Sequence, residues 1–202
     1  MRVWILKIKA SGYQKKMSKL DDLENYLGNK GPFAIAVSGG VDSMTLAVVA
    51  NRKDPNTEIY HAISPAVPEE STALVHSYAE SEKWNLSVVT AGEMKDPHYL
   101  SNPANRCYYC KTNLYDALSL QTDLTIASGT NIDDLVDYRP GLQAAREHRV
   151  VHPYVETSVS KTQLRAIARS LSLTDLQDLP PSPCLSSRIT TGILIDENLL
   201  PV

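Results

Sequence analysis

The sequence predicts an α/β protein, doubly wound around a mostly parallel five-stranded sheet. Three observations carry this expectation. Short apolar runs of strand length recur at 33–37, 58–64, 86–90, 124–128 and 150–153. Stretches with helical spacing of apolar residues lie between several of them. The first run ends in Ser38-Gly39-Gly40 just before a helical pattern, the punctuation of a strand–turn–helix unit. Such alternation implies right-handed crossovers and a ligand at the C-terminal ends of the strands.

Taken in order, residues 1–17 are basic and weakly patterned and read as an N-terminal extension, with Met17 as an alternative start. A domain is expected over 18–175, followed by a cysteine-bearing segment over 176–202. Ser18 suits an N-cap, Leu20, Leu23, Tyr26 and Leu27 mark one helix face, and Gly28 and Gly31 are expected to end it. Phe33 to Val37 is too short for a helix and reads as a buried strand. Asp42 and Ser43 are expected to cap the next helix. Pro68-Glu69-Glu70 opens a helix to about Trp84, with proline and acids in the first turn. Another helix is expected over about 107–120, and one capped by Ser160 runs to Leu171, with Leu164, Ile167, Ala168 and Leu171 inward. Leu179-Pro180-Pro181-Ser182-Pro183 is a stiff, extended lead into Cys184.

At 202 residues and 43% hydrophobic composition the chain is long enough for a sizeable core. A net charge of −3 argues against a surface built for nucleic acid. No apolar run approaches membrane-spanning length, and residues 1–9 lack a signal-peptide pattern. A cytoplasmic protein is expected, with no nucleic-acid partner and no membrane. Three cysteines, an odd and small number, point to metal or reactive chemistry rather than disulfides.

A strand, a small-residue turn and a helix start form an anion site, and nucleotide phosphates are the expected anion. The loop has neither the Lys-Ser/Thr of a Walker A motif nor a G-x-G-x-x-G fingerprint. Ser38-Gly39-Gly40-Val41-Asp42-Ser43 instead resembles the PP-loop of the ATP pyrophosphatase superfamily, which implies an adenine nucleotide alpha hydrolase-like fold. Enzymes of that superfamily split ATP between its α and β phosphates and adenylylate a substrate.

Cys107 and Cys110 form a C-x-x-C beside Arg106 and Lys111, two cations that would favour thiolates, and Cys184 follows far downstream. By itself C-x-x-C suits half a zinc site, a redox pair or two buried small hydrophobes. Zinc would need a fourth ligand, for which His98 and His152 qualify by residue type. An iron–sulfur cluster held by three cysteines would leave one iron open to an exogenous ligand such as sulfide.

The combination is similar to the LarE family, ATP-dependent sulfur transferases that help make the nickel-pincer nucleotide cofactor. The matching stretches run in family order: Ser38 to Ser43, 105–111 (NRCYYCK), 129–134 (GTNIDD), 137–141 (DYRPG) and 184–189 (CLSSRI). The resemblance implies that ATP adenylylates a carboxylate of a pyridinium dicarboxylate mononucleotide, after which sulfur displaces AMP to leave a thiocarboxylate. It also implies two sulfur sources, a sacrificed cysteine at Cys184 or a 4Fe–4S cluster on Cys107, Cys110 and Cys184. The three-cysteine set favours the cluster.

On this reading Ser38, Gly39, Gly40, Asp42 and Ser43 cradle the phosphates, with Gly129 and Thr130 beside them. Asp42 orients Mg²⁺ or caps the helix. Asp133 and Asp134 position Mg²⁺ or the reacting carboxylate, unless they form an ordinary Asx-rich turn. Arg139 pairs with a phosphate or carboxylate, or is a surface arginine. Cys184 is the sulfur-handling residue, and Arg188 stabilises its thiolate or binds substrate phosphate. Arg106 is a further substrate-binding candidate. The expected cofactors are ATP, Mg²⁺ and the 4Fe–4S cluster.

A tRNA thiolase would use a similar cysteine set but needs a broad basic surface. Amidation of the NAD or GMP synthetase type does not require three cysteines. A zinc-stabilised nucleotide sensor is the non-enzymatic alternative. LarE-like chains continue well past the 184–188 motif, so a homo-oligomer or a partner chain supplying the remaining part is expected.

Overall fold

The computed structural model describes residues 18–200, so the extension expected over 1–17 lies outside the described residues. Helices α1 (Lys19–Lys30), α2 (Val41–Lys53), α3 (Glu69–Glu82), α4 (Pro97–Leu100), α5 (Arg106–Ser119), α6 (Pro140–Glu147), α7 (Pro153–Glu156), α8 (Lys161–Ser170) and α9 (Thr174–Gln177) alternate in part with strands. The strands are β1 (Phe33–Val37), β2 (Glu58–Ala62), β3 (Asn85–Val89) and β4 (Thr125–Ala127). They form one parallel sheet in the order β3-β2-β1-β4. Strand order reverses at β1, so the switch point lies between the C-terminal ends of β1 and β4.

The expected fifth strand is a single parallel bridge between Ala127 and Val151. Val151 donates to the Ile126 carbonyl and accepts from the Ser128 amide. Pro153 then opens α7 and, lacking an N–H, ends the ladder.

Local chemistry accounts for several helix starts. Ser18 and Asp21 form a capping box at α1, and Ser160 and Gln163 form one at α8. Gly28 lies inside α1, which stops instead at Gly31, just before Pro32. α6 has no counterpart among the expected elements. It begins with Pro140 at its first turn and buries Ala144 and Ala145.

Alternation along β1 divides the core between the two faces of the sheet. Phe33, Ile35 and Val37 pack with α1, α2, α3, α8 and α9. Ala34 packs on the other face with Tyr60, Ile126 and helices α5 and α6. Every residue of α2 from Ser43 to Asn51 is buried, as a helix covered on all sides requires. A smaller third cluster, Ala66, Tyr99, Ile195 and Leu200, holds the C-terminal segment against α4.

Candidate functional site

A cavity of about 910 Å³ opens at the C-terminal ends of the sheet strands, a size that suits a nucleotide-scale ligand. Its walls bring together Ser38, Gly40, Asp42 and Ser43, the β4 loop residues Gly129, Thr130 and Asp134, then Arg139, and all three cysteines. Gly39 is buried behind this wall, and Arg106 and Arg188 are not among the lining residues.

Gly40, rather than Asp42 or Ser43, is the N-cap of α2, and no side chain caps this helix. Its first-turn amides are therefore open to an anion. Ser43 instead ties the loop to itself. Its hydroxyl accepts from the Ser38 amide at 3.1 Å and donates to the Gly40 carbonyl at 3.3 Å. Gly39 has φ +77°, and a Cβ there would lie 2.7 Å from Ser71 Cβ. Gly129 is glycine for a different reason. A Cβ would fall 2.6 Å from the Ser43 amide nitrogen, so the β4 loop abuts the backbone of α2.

Beyond β4, Asn131 caps a short 3₁₀ turn reciprocally with Asp134. Asp134 also holds Arg139 at 2.8 Å, so the guanidinium already has a carboxylate partner inside the protein. Ser128 meets His152 Nδ1 at 2.9 Å and Thr130 at 3.1 Å. Burial lowers the pKa of His152, against the pull of Glu156 and Asp134.

His61, fully buried on the cavity wall, contacts the Val37 carbonyl through Nδ1 at 3.1 Å and the Thr72 hydroxyl through Nε2 at 3.0 Å. A carbonyl only accepts, so Nδ1 carries the proton and Nε2 accepts from Thr72. Burial lowers the pKa of this imidazole, more than the Val37 bond raises it.

Cys107 and Cys110 come from the first turns of α5, and Cys184 precedes the 3₁₀ turn Leu185–Arg188. All three are free thiols. Cys107 and Cys184 are exposed, whereas burial pushes the Cys110 thiol up to about 11. Lys111 pulls it down, as the sequence suggested, while Glu93, Cys184 and Cys107 raise it further. Burial outweighs the lysine. Arg106 faces elsewhere. Its guanidinium turns to the Asn102 side chain and to the Ser186 carbonyl at 3.1 Å, fastening α5 to the turn after Cys184.

Among the described residues no three His, Cys, Asp or Glu side chains stand ready to hold one metal ion. His98 stacks on Tyr109 and His152 bonds Ser128, so neither zinc-ligand candidate joins the thiols. The three thiols share one wall of the cavity.

The sequence did not single out Lys161, whose ammonium grips the Asp42 carboxylate at 2.7 and 2.5 Å. Its one local signal is a cation in the first turn of α8, where the helix dipole disfavours it. Glu93, buried on the cavity wall, was missed for want of any motif.

No family model matches the chain. "Uncharacterized protein slr1717" of Synechocystis sp. is 41% identical over 184 residues, covering 87% of this chain and 67% of that protein. "Uncharacterized protein MJ0830" of Methanocaldococcus jannaschii is 29% identical, covering 87% and 68%. Pyridinium-3,5-bisthiocarboxylic acid mononucleotide synthase of Lactiplantibacillus plantarum is 30% identical over 176 residues, covering 83% of this chain and 63% of the synthase. The chain thus spans roughly two thirds of the length of these relatives. It belongs to the same family as the Synechocystis protein, a LarE-like family to which the Lactiplantibacillus synthase is related.

Proposed function

We propose that the protein is an ATP-dependent, AMP-forming sulfur transferase acting on a pyridinium dicarboxylate mononucleotide, in nickel-pincer nucleotide synthesis. The observation that carries this reading is the shared cavity. An uncapped helix start after a Ser-Gly-Gly turn faces the same space as three free thiols. Nucleotide activation and sulfur delivery need those two features within one ligand's reach. The name of the Lactiplantibacillus relative supplies the substrate class.

In this reading the α2 amides, with the Ser38 hydroxyl, hold the ATP phosphates as a PP-loop does, while Ser43 keeps the loop in shape. A substrate carboxylate oxygen attacks the α-phosphorus, and pyrophosphate leaves. A sulfur nucleophile then attacks the activated acyl carbon, and AMP leaves. Magnesium needs only one or two carboxylates beside the phosphates, and Asp134 and Asp42 on the cavity wall fit that role. Arg139 is placed to exchange Asp134 for a substrate anion. Cys107, Cys110 and Cys184 are the residues that would hold a 4Fe–4S cluster. Such a cluster would supply an iron without a protein thiolate, at which an exogenous sulfide can be held for transfer. Cys110, half-buried and held protonated by desolvation, would have to lose its proton to ligate such a cluster.

The test is anaerobic purification followed by iron, acid-labile sulfide and zinc determination, then assay of AMP and pyrophosphate with and without the acceptor. Iron and sulfide that disappear in Cys107→Ala, together with acceptor-dependent AMP formation, are expected. Zinc without iron would sink the cluster. ATP turnover indifferent to the acceptor would sink the transferase.

A further inference from the structure

Lys161 occupies the first position of α8, where the helix dipole is unfavourable to a cation. Its placement needs another cause, and Asp42 is that cause. Both carboxylate oxygens accept from the ammonium across 119 residues of sequence, with the two side chains 34% and 31% exposed. The surroundings fix both partners. The Lys161 amide donates to the Asp133 carboxylate at 2.8 Å, which supplies the negative charge that the start of α8 favours. Tyr154, fully buried, donates its hydroxyl to the Asp42 carbonyl at 3.2 Å. Burial, with Asp42 nearby, raises that phenol well above its ordinary value and keeps it a donor.

Asp42 lies in the first turn of α2, the turn that offers its amides to the cavity. A bare carboxylate there opposes any phosphate, because like charges a few ångströms apart repel strongly near a protein surface. The ammonium cancels that charge from behind. It does so without lining the cavity, so it leaves the ligand's volume free.

We propose that Lys161 is the resident counter-charge of the phosphate site. It neutralises Asp42 so that the start of α2 accepts polyphosphate before any metal binds, and it yields the carboxylate when a divalent cation arrives with the nucleotide. Lys161 is thus a positioning residue acting through Asp42. This inference rests on the nucleotide-binding reading above.

The experiment is calorimetric titration of the protein with inorganic pyrophosphate and with ATP, in EDTA and again in excess Mg²⁺. In EDTA, Lys161→Met is expected to weaken binding of both probes about tenfold, and Lys161→Arg to stay near wild type. Asp42→Asn/Lys161→Met is expected to recover the wild-type value, because no charge remains to be cancelled. Mg²⁺ is expected to narrow the Lys161→Met defect by taking over the carboxylate. Binding by Lys161→Met equal to wild type in EDTA would overturn the inference. So would a double variant as weak as Lys161→Met, since the lysine would then be contacting phosphate itself. If Lys161→Met does not fold, Asp42→Asn alone decides: metal-free binding should tighten several-fold, and unchanged binding overturns the idea. A wild-type protein that binds neither probe in either buffer defeats the nucleotide reading along with this one. Normal wild-type binding with an indifferent Lys161 defeats only this one.

Discussion

The hydroxyls of Tyr99 and Ser186 meet at 2.7 Å, although 87 residues separate them in sequence. Both side chains are buried, so this bond is the fixed point from which the Cys184 segment reaches the cavity wall. Burial pushes the Tyr99 phenol up to about 12, against the lowering effect of Ser186, and it stays protonated. Tyr99→Phe leaves the Ser186 hydroxyl without its partner and is expected to cost about 1–3 kcal/mol. Urea melts should show the loss, and hydrogen exchange should show faster opening of residues 184–195 than of β1.

Asn102 is buried with φ +51°, and its amide nitrogen serves the carbonyls of Thr190 and Ile193 at 2.9 Å and of Ile189 at 3.4 Å. Asn102→Ala removes these donors and keeps a left-handed backbone that alanine tolerates poorly. A loss of about 3 kcal/mol is expected, concentrated in the C-terminal segment. Asn102→Gly, which keeps only the backbone freedom, should lose less, and equal losses would discredit the backbone part of this argument.

Two glycines on the same wall should behave oppositely. At Gly129 an added methyl meets backbone atoms at 2.6 and 2.7 Å, which cannot swing away. At Gly40 the nearest neighbour is the Ser38 hydroxyl at 3.5 Å, an ordinary contact. Gly129→Ala is expected to destabilise by about 3 kcal/mol and Gly40→Ala by under about 1 kcal/mol. Thermal melts of the two variants side by side check the difference.

His61 links stability to acidity. Its ordinary pKa is 6.5, and burial lowers it in the folded protein. Well above pH 6.5 the imidazole is neutral in both states. As pH falls below 6.5 the unfolded chain takes up a proton that the folded protein resists, so stability is lost down to the lowered folded value. His152 shifts in the same direction. His148 shifts upward, through its Asp116 and Ala144 bonds working against burial, and contributes with the opposite sign. The clean observable is therefore a difference. His61→Asn, which keeps a donor for Val37, should show a shallower loss of stability than wild type between neutral and mildly acid pH in denaturant titrations. Parallel curves would mean that His61 is not the linked group.

What the sequence revealed follows the range of the forces involved. β1, the Ser-Gly-Gly turn, and the Ser18 and Ser160 caps depend on neighbours within four residues, and they stand where periodicity and capping chemistry put them. The strand expected at 150–153 shrinks to one bridge because Pro153, two residues past Val151, stops the ladder and opens α7. Asp42 and Ser43 suit a cap by residue type, yet Gly40 takes that place because the turn delivers its backbone there first. Arg106 illustrates a deeper limit. Beside a C-x-x-C it reads as an electrostatic partner for thiolates, but its reach toward Asn102 and Ser186 is decided by a segment 80 residues later. Lys161 was invisible for the same reason, since nothing local announces a partner 119 residues away.

The Asn102 clasp carries a consequence for biosynthesis. Cys107 and Cys110 leave the ribosome long before Cys184, and the segment bearing Cys184 docks only when the backbone near Ile189 and Ile193 reaches the waiting Asn102 amide. During translation the first two thiols therefore stand alone until the segment bearing Cys184 has emerged and docked. Until the backbone near Ile189 and Ile193 reaches the Asn102 amide, the cavity therefore has only two of its three thiols on the wall.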